Sequence, residues 1–200
     1  MTVSDPLSAV LRALERPGRD TSDYDLNPGT VLPEGRVLRP AAVLVPFLCG
    51  PAGIEVVLTK RSSRLKHHPG QIAFPGGKVD ATDAGPVEAA LREAREEIGL
   101  PQGAVEILGT WAAHETVTGF SVTPVFGRIR HAFEPVPEAG EVDEVFSVPL
   151  AHAADPARFR IEGRRWRGEM RRYYVAPYGP YYIWGATARI LRALADRMAA

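Results

Sequence analysis

The chain has one cysteine, no excess of either charge and no long apolar run, and each shortage removes a class of function. Cys49 alone cannot build an intrachain disulfide framework or a cysteine-based zinc site, and within the apolar run AAVLVPFLC it reads as core packing. The 24 basic and 24 acidic side chains cancel, so no global field draws the protein to nucleic acid or to a membrane surface. No uncharged stretch reaches the roughly 20 apolar residues that cross a bilayer. The opening MTVSDPLSAVLRALERPG carries Asp5, Arg12 and Glu15 where a secretory leader is apolar, and the closing DRMAA is unlike the S-K-L peroxisomal address. The expectation is a cytoplasmic protein that binds neither nucleic acid nor membrane. Internal repeats and low-complexity segments are also missing.

What is present suits one domain: 200 residues, 45% of them hydrophobic, can bury a sizeable core. Ser4 or Asp5 followed by Pro6 starts a helix whose Leu7, Val10, Leu11 and Leu14 recur at helical spacing until Pro17 and Gly18 stop it. The chain is then rich in Pro, Gly and Asp, so residues 1–40 are expected to form a helix and an irregular arm, with the main domain over 41–200. That first helix could cover its own domain or a neighbour's, which leaves a homodimer open. Apolar, β-branched runs at 41–49 and 54–60 around the turn GPAG predict a hairpin. A long loop over 61–85 follows, and structureless loops of that length in compact domains are usually functional. The next helix begins near Pro86, carries an apolar stripe of Val87, Ala90, Leu91, Ala94 and Ile98, and ends at Gly99. Strand-like runs lie at about 105–112, 121–130, 145–148 and 170–176, and a last helix has Ile190, Leu191, Leu194 and Met198 on one face. The class is α/β, with a mixed sheet covered on both faces.

The stretch REAREEIGL, Arg92–Leu100, places Glu93, Glu96 and Glu97 within roughly a 100° arc of one helix face, close to the negative helix end. Like charges at that spacing cost a few tenths of a kcal/mol per pair, and the macrodipole adds about as much. Arg92, four residues before Glu96, and nearby Arg95 could make this a salt-bridged surface. The loop ahead of the helix points to another use. Gly76 and Gly77 allow a tight bend and a close approach of backbone to whatever the carboxylates hold. Three carboxylates, a backbone oxygen and substrate phosphates are the hard oxygen ligands that Mg²⁺ prefers. A diphosphate fits that arrangement.

Residues 76–100, GGKVDATDAGPVEAALREAREEIGL, resemble the Nudix box, GX5EX7REUXEEXGU. Arg92, Glu93, Ala94, Glu96, Glu97, Gly99 and Leu100 match its second half position by position. The first half departs from the pattern: counted from Gly77, the family's glutamate falls on Asp83, and the spacer to Arg92 is one residue longer. The branch that hydrolyses coenzyme A is similar in both respects, with a GGxxDxxD start preceded by LTxRSxxLxxHxGQxxFPGG. Here that region reads LTKRSSRLKHHPGQIAFPGG, so Leu58, Thr59, Arg61, Ser62, Leu65, His68, Gly70, Gln71, Phe74, Pro75, Gly76 and Gly77 match. Weaker echoes continue at 120–127, 141–150 and 183–191.

The resemblance implies a Nudix-type α/β/α sandwich with a central mixed sheet, and a Mg²⁺- or Mn²⁺-dependent hydrolase of a small molecule. Coenzyme A, or a thioester or oxidised form of it, would be cut to 3′-phosphoadenosine 5′-phosphate and a 4′-phosphopantetheine product. Glu93, Glu96 and Glu97 are then the metal ligands, with Glu96 or Glu97 also near the attacking water. Arg92 would hold the carboxylates in their binding rotamers. Arg61, His68, Gln71, Phe74, Gly76 and Gly77 are the expected substrate contacts, Arg61 favoured for phosphate by its planar fork. His67 and His68 are not read as a metal site, because Mg²⁺ prefers oxygen to imidazole. Glu141 leads Glu144 and Glu115 as candidate for a further base or ligand. The basic run 158–174 is either a solvated hairpin or a contact for the 3′-phosphate, with Trp166 or Tyr173 placed to stack on adenine. Two alternatives stay open: a Nudix hydrolase of ADP-ribose, NADH or a nucleoside triphosphate, and a Nudix module that binds a nucleotide without cutting it. The intact glutamate triad argues against the second.

Overall fold

The computed structural model describes residues 5–17, 20–166 and 168–200, the Trp166 side chain apart. Ser4 and Gly18, read as start and stop signals of the first helix, lie outside the described residues, as do Arg167 and the Trp166 side chain of the basic run. The chain begins with α1 (Ser8–Glu15), the short β1 (Thr21–Ser22), and the hairpin β2 (Arg39–Gly50) and β3 (Gly53–Arg61). Then come β4 (Ile72–Ala73), β5 (Gly76–Lys78), α2 (Pro86–Ile98), β6 (Val105–Thr110), β7 (His114–Glu115) and β8 (Phe120–Ile129). The chain closes with β9 (Val142–Pro149), α3 (Leu150–Ala153), the hairpin β10 (Arg160–Trp166) and β11 (Glu169–Val175), and α4 (Gly185–Ala199).

Strand β2 is the hub of the sheet. It runs parallel to β8 from Arg39↔Phe120 to Leu48↔Ile129, antiparallel to β3 at Phe47–Gly50, and antiparallel to β5 at Ala41–Val43. β3 extends the sheet through β4 and β9, and β8 extends it through β6 and β7. The sheet is therefore mixed, as expected.

Period-two alternation sorts the strand residues onto two faces. Val45, Phe47, Leu58 and Phe126 share a core with α1 and α4, where Leu7, Val10, Leu191 and Leu194 are fully buried. Ala42, Leu44, Val57 and Val125 turn the other way and pack on Ala89, Ala90, Ala94 and Ile98 of α2. Small alanines let α2 lie close to the sheet. Three layers, α/β/α, result. No helix among the described residues is long and apolar enough to cross a membrane.

Two expectations need correction. Residues 61–85 are not structureless, since β4 and β5 within them pair with β3 and β2. Cys49 is exposed and not core: β2 outruns the packed layers before its turn, and its last two residues, Cys49 and Gly50, face solvent. The basic run does form a hairpin, with β10 and β11 paired from Arg160↔Val175 to Trp166↔Glu169.

Leu191 ties α4 to the larger core at 0% exposure. Leu191→Ala should lower unfolding free energy by about 2–5 kcal/mol with the denaturant slope unchanged; a loss below about 1 kcal/mol would mean that α4 contributes little to this core.

Candidate functional site

Helix α2 starts with Pro86 at its first turn and ends at Gly99, whose φ of 71° is left-handed. There the Gly99 N–H donates to Arg95 O at 3.1 Å and the Leu100 N–H to Ala94 O at 3.3 Å, closing the helix as glycine permits. Since Ala90, Ala94 and Ile98 face the sheet, the glutamates are turned toward the edge where β5 meets β2.

Glu97 is the most buried of the three, at 4% exposure. Its Oε2 accepts the Gly76 N–H at 3.1 Å, and its Oε1 lies 4.0 Å from Arg61 Nη1. Burial pushes its pKa up to about 7, reinforced by the charges of Glu93 and Glu141 and opposed by the Gly76 bond and Arg61. Burial also raises Glu93, against the stabilising bond from Arg92. The two glycines make this approach possible. A Cβ on Gly77 would fall on the Glu93 carboxylate, and one on Gly76 would fall on the Ala42 carbonyl and the Val43 backbone.

Arg92 gathers the acidic groups. Its Nε and Nη2 donate to Asp83 Oδ1 and Oδ2 at 3.0 and 2.9 Å, a bidentate fork that holds the Asp83 carboxyl below its usual range. Nη2 also reaches Lys78 O at 3.1 Å, and Nη1 donates to Glu93 Oε1 at 3.0 Å and Glu96 Oε2 at 3.1 Å. The i, i+4 contact was legible in the sequence. The Asp83 fork was missed, and its signal was the aspartate standing where the box has glutamate.

Among the described residues no three acidic, histidine or cysteine side chains converge as a closed metal cage. The donor chemistry still fits a hard divalent cation. Arg92 occupies one oxygen each of Glu93 and Glu96, while Glu97 lies nearly buried with no cation closer than Arg61. Mg²⁺ sites commonly take one or two carboxylates and leave the rest to substrate phosphates and water. Glu93, Glu96 and Glu97 are the residues that could hold it.

A cleft of about 1780 Å³ meets this edge at Gly76, Gly77 and Lys78. Of the expected contacts, Arg61, His68, Gln71, Gly76 and Gly77 border it. Phe74 does not: its ring is 3% exposed and packs in the larger core, so it anchors the loop from below. Burial and the Arg61 charge push the His68 pKa down, which favours a neutral ring. Glu141 is exposed but close enough for its charge to act on Glu93 and Glu97. Glu144 borders the cleft and accepts the Tyr181 hydroxyl at 2.5 Å, whereas Glu115 is paired with Arg36. In the basic run, Arg158 faces Asp155 and Arg160 faces Glu162, while Arg164, Arg171, Arg172 and Tyr173 border the cleft.

The N-terminal arm forms part of the wall. Asn27 Nδ2 donates to Arg172 O at 2.9 Å and its Oδ1 accepts the Arg172 N–H at 2.8 Å, clasping the arm to β11. Asp25 pairs with Arg189 of α4 at 2.7 Å.

Residues 38–167 match the model of the NUDIX domain. Proteins described as uncharacterized Nudix hydrolase NudL, from Salmonella paratyphi B and Escherichia coli, are 45% and 44% identical over 157 residues, 78% of this chain and 81% of each relative. A solved Nudix hydrolase from M. smegmatis, RenU, is similar at 25% identity with TM-score 0.50, covering 60% of this chain and 82% of that one. A MutT/nudix family protein from Enterococcus faecalis is alike in fold, at TM-score 0.50 and 16% identity, covering 85% of this chain and 65% of that one.

The folded protein holds the Glu97 proton up to about pH 7, whereas the unfolded chain releases it near 4.5. This group's contribution is therefore most favourable below the lower value and falls as pH rises to the upper one. In metal-free protein, Glu97→Gln should gain in melting temperature relative to wild type on going from pH 4.5 to pH 8. A difference between the two proteins that stays constant with pH would show that the buried carboxyl is not the source.

Proposed function

The chain belongs to the Nudix family and is a Nudix hydrolase by its match over residues 38–167, and from that premise we propose that it cuts the diphosphate bond of coenzyme A or one of its derivatives. The products are 3′-phosphoadenosine 5′-phosphate and 4′-phosphopantetheine. The observation that carries this reading is the loop over 58–77: it bears the branch signature, and its Arg61, His68 and Gln71 border a cleft that meets the glycines packed on Glu93 and Glu97.

Nudix hydrolases generally use divalent metal ions, and Mg²⁺ or Mn²⁺ bound here would neutralise the phosphoryl oxygens and acidify a bound water. Glu93, Glu96 and Glu97 are the residues that would hold it. Glu97, nearly buried and bonded to the Gly76 N–H, is the first candidate to take a proton from the attacking water, with Glu96 or Glu141 as the other candidates for that step. Arg92 positions the carboxylates through its bonds to Asp83, Glu93 and Glu96. Arg61, 4.0 Å from Glu97, can pass from that carboxylate to a substrate phosphate. Neutral His68 and Gln71 donate further hydrogen bonds at the cleft edge.

Incubating the protein with coenzyme A and Mg²⁺ and following products by mass should yield the two phosphorylated halves. Intact coenzyme A under both Mg²⁺ and Mn²⁺ would refute the substrate and direct a panel of other diphosphates. Glu97→Gln should lower turnover by about 10²-fold or more with the fold retained, and near-normal turnover would refute its role.

A further inference from the structure

The cleft carries more positive charge than a single diphosphate accounts for. Among the described residues nine Lys and Arg side chains border it against two acidic ones, in a chain whose charges balance. Both acidic groups are already engaged. Asp23 accepts the Val117 N–H at 3.0 Å and faces His114 at 3.2 Å, and Glu144 accepts the Tyr181 hydroxyl at 2.5 Å. Arg36 is matched by Glu115 and Arg61 approaches Glu97 at 4.0 Å, which leaves a smaller but still positive excess facing the cleft.

Arg39 is the best placed of these cations. β2 pairs Val43 with Gly76 and Ala41 with Lys78, so Arg39 lies four residues beyond the Gly76 pairing, about 13 Å along the strand. That separation is of the order of one nucleoside, and Lys78 stands between the two points. The Arg39 guanidinium lies 3.9 Å over the Phe120 ring, and its Nη2 donates to Thr118 O at 3.0 Å. Ring and carbonyl orient the plane without neutralising it. Among the described residues no carboxylate pairs with Arg39, and the side chain is exposed on the border of the cleft. An oriented fork without a counter-ion suits a phosphate monoester better than a point charge would.

We propose that Arg39, held on Phe120 and assisted by Lys78, forms a second anion subsite that selects substrates with a phosphate monoester on the nucleoside as well as the diphosphate at Gly76–Gly77. This rests on the reading that a nucleoside diphosphate derivative occupies the cleft. The part of the border formed by β10, with Arg164 over Trp184 at 5.4 Å, is left to the remainder of the ligand.

The test compares binding of adenosine 3′,5′-bisphosphate and adenosine 5′-monophosphate, by calorimetry, to wild type, Arg39→Ala and Arg39→Lys. Wild type should prefer the bisphosphate by about tenfold or more, Arg39→Ala should bring the ratio within about twofold, and Arg39→Lys should restore part of it. Hydrolysis of coenzyme A and of 3′-dephospho-coenzyme A should follow the same order in kcat/KM. Equal binding of both nucleotides by wild type, or a preference that survives in Arg39→Ala, overturns the subsite whether or not coenzyme A is cut. A preference that collapses in Arg39→Ala, in a protein that leaves coenzyme A intact, keeps the subsite and overturns the coenzyme A reading alone.

Discussion

The Arg92 guanidinium joins the glycine-rich loop to the acidic helix, and the geometry of the site follows from that junction. All five of its N–H donors are used, on Asp83, Lys78 O, Glu93 and Glu96. A helix face carrying three carboxylates at its negative end is self-repelling, and one buried-edge cation touching two of them offsets part of that repulsion. Asp83, with 4% of its side chain exposed, is then a fixture of the arginine. This gives the longer spacer of the box a physical sense: the residue at the departed position serves the hub, and the helix carboxylates are free to serve a ligand.

The sheet supplies the second half of the constraint. Because β5 pairs with β2, the Gly76 N–H is fixed where Glu97 can accept it, and the lack of side chains at 76 and 77 keeps Glu93 and β2 within contact. A carboxylate buried this way is unstable when charged. It is held there by the packing of α2, whose alanines and Ile98 bind it to the sheet independently of the charge.

The hydrophobic periods revealed α2, α4 and the β2–β3 hairpin with boundaries close to those found, because each buries one regular face. The short β4 and β5 were hidden in a loop rich in Gly, Pro and His, since two or three residues show no period and their pairing is decided by distant partners. Cys49 misled for a related reason: an apolar run says that a strand is buried, not where along it burial stops. In the site, spacing on one helix brought the glutamates together on paper, and motif resemblance brought in Arg61, His68 and Gln71. The placement of Phe74 in the core and the approach of Arg39 and the arm to the cleft depend on tertiary register, which no local pattern carries.

The clasp between Asn27 and β11 bears on how binding is organised in time. A side-chain amide that accepts and donates to one backbone residue imitates a neighbouring strand, so the two-stranded β10–β11 ribbon is braced by the arm at Arg172 without being part of the large sheet. A two-stranded ribbon is marginal on its own in water, and here Val175 and Tyr174 anchor its base against the core while the arm braces it at Arg172. With the brace in place, the entropy of fixing that wall is spent during folding and not when ligand arrives. Such preorganisation converts more of each later contact into affinity. The arm, which adds little to the recognisable motif, thereby contributes to how rigid that wall is before anything enters the cleft.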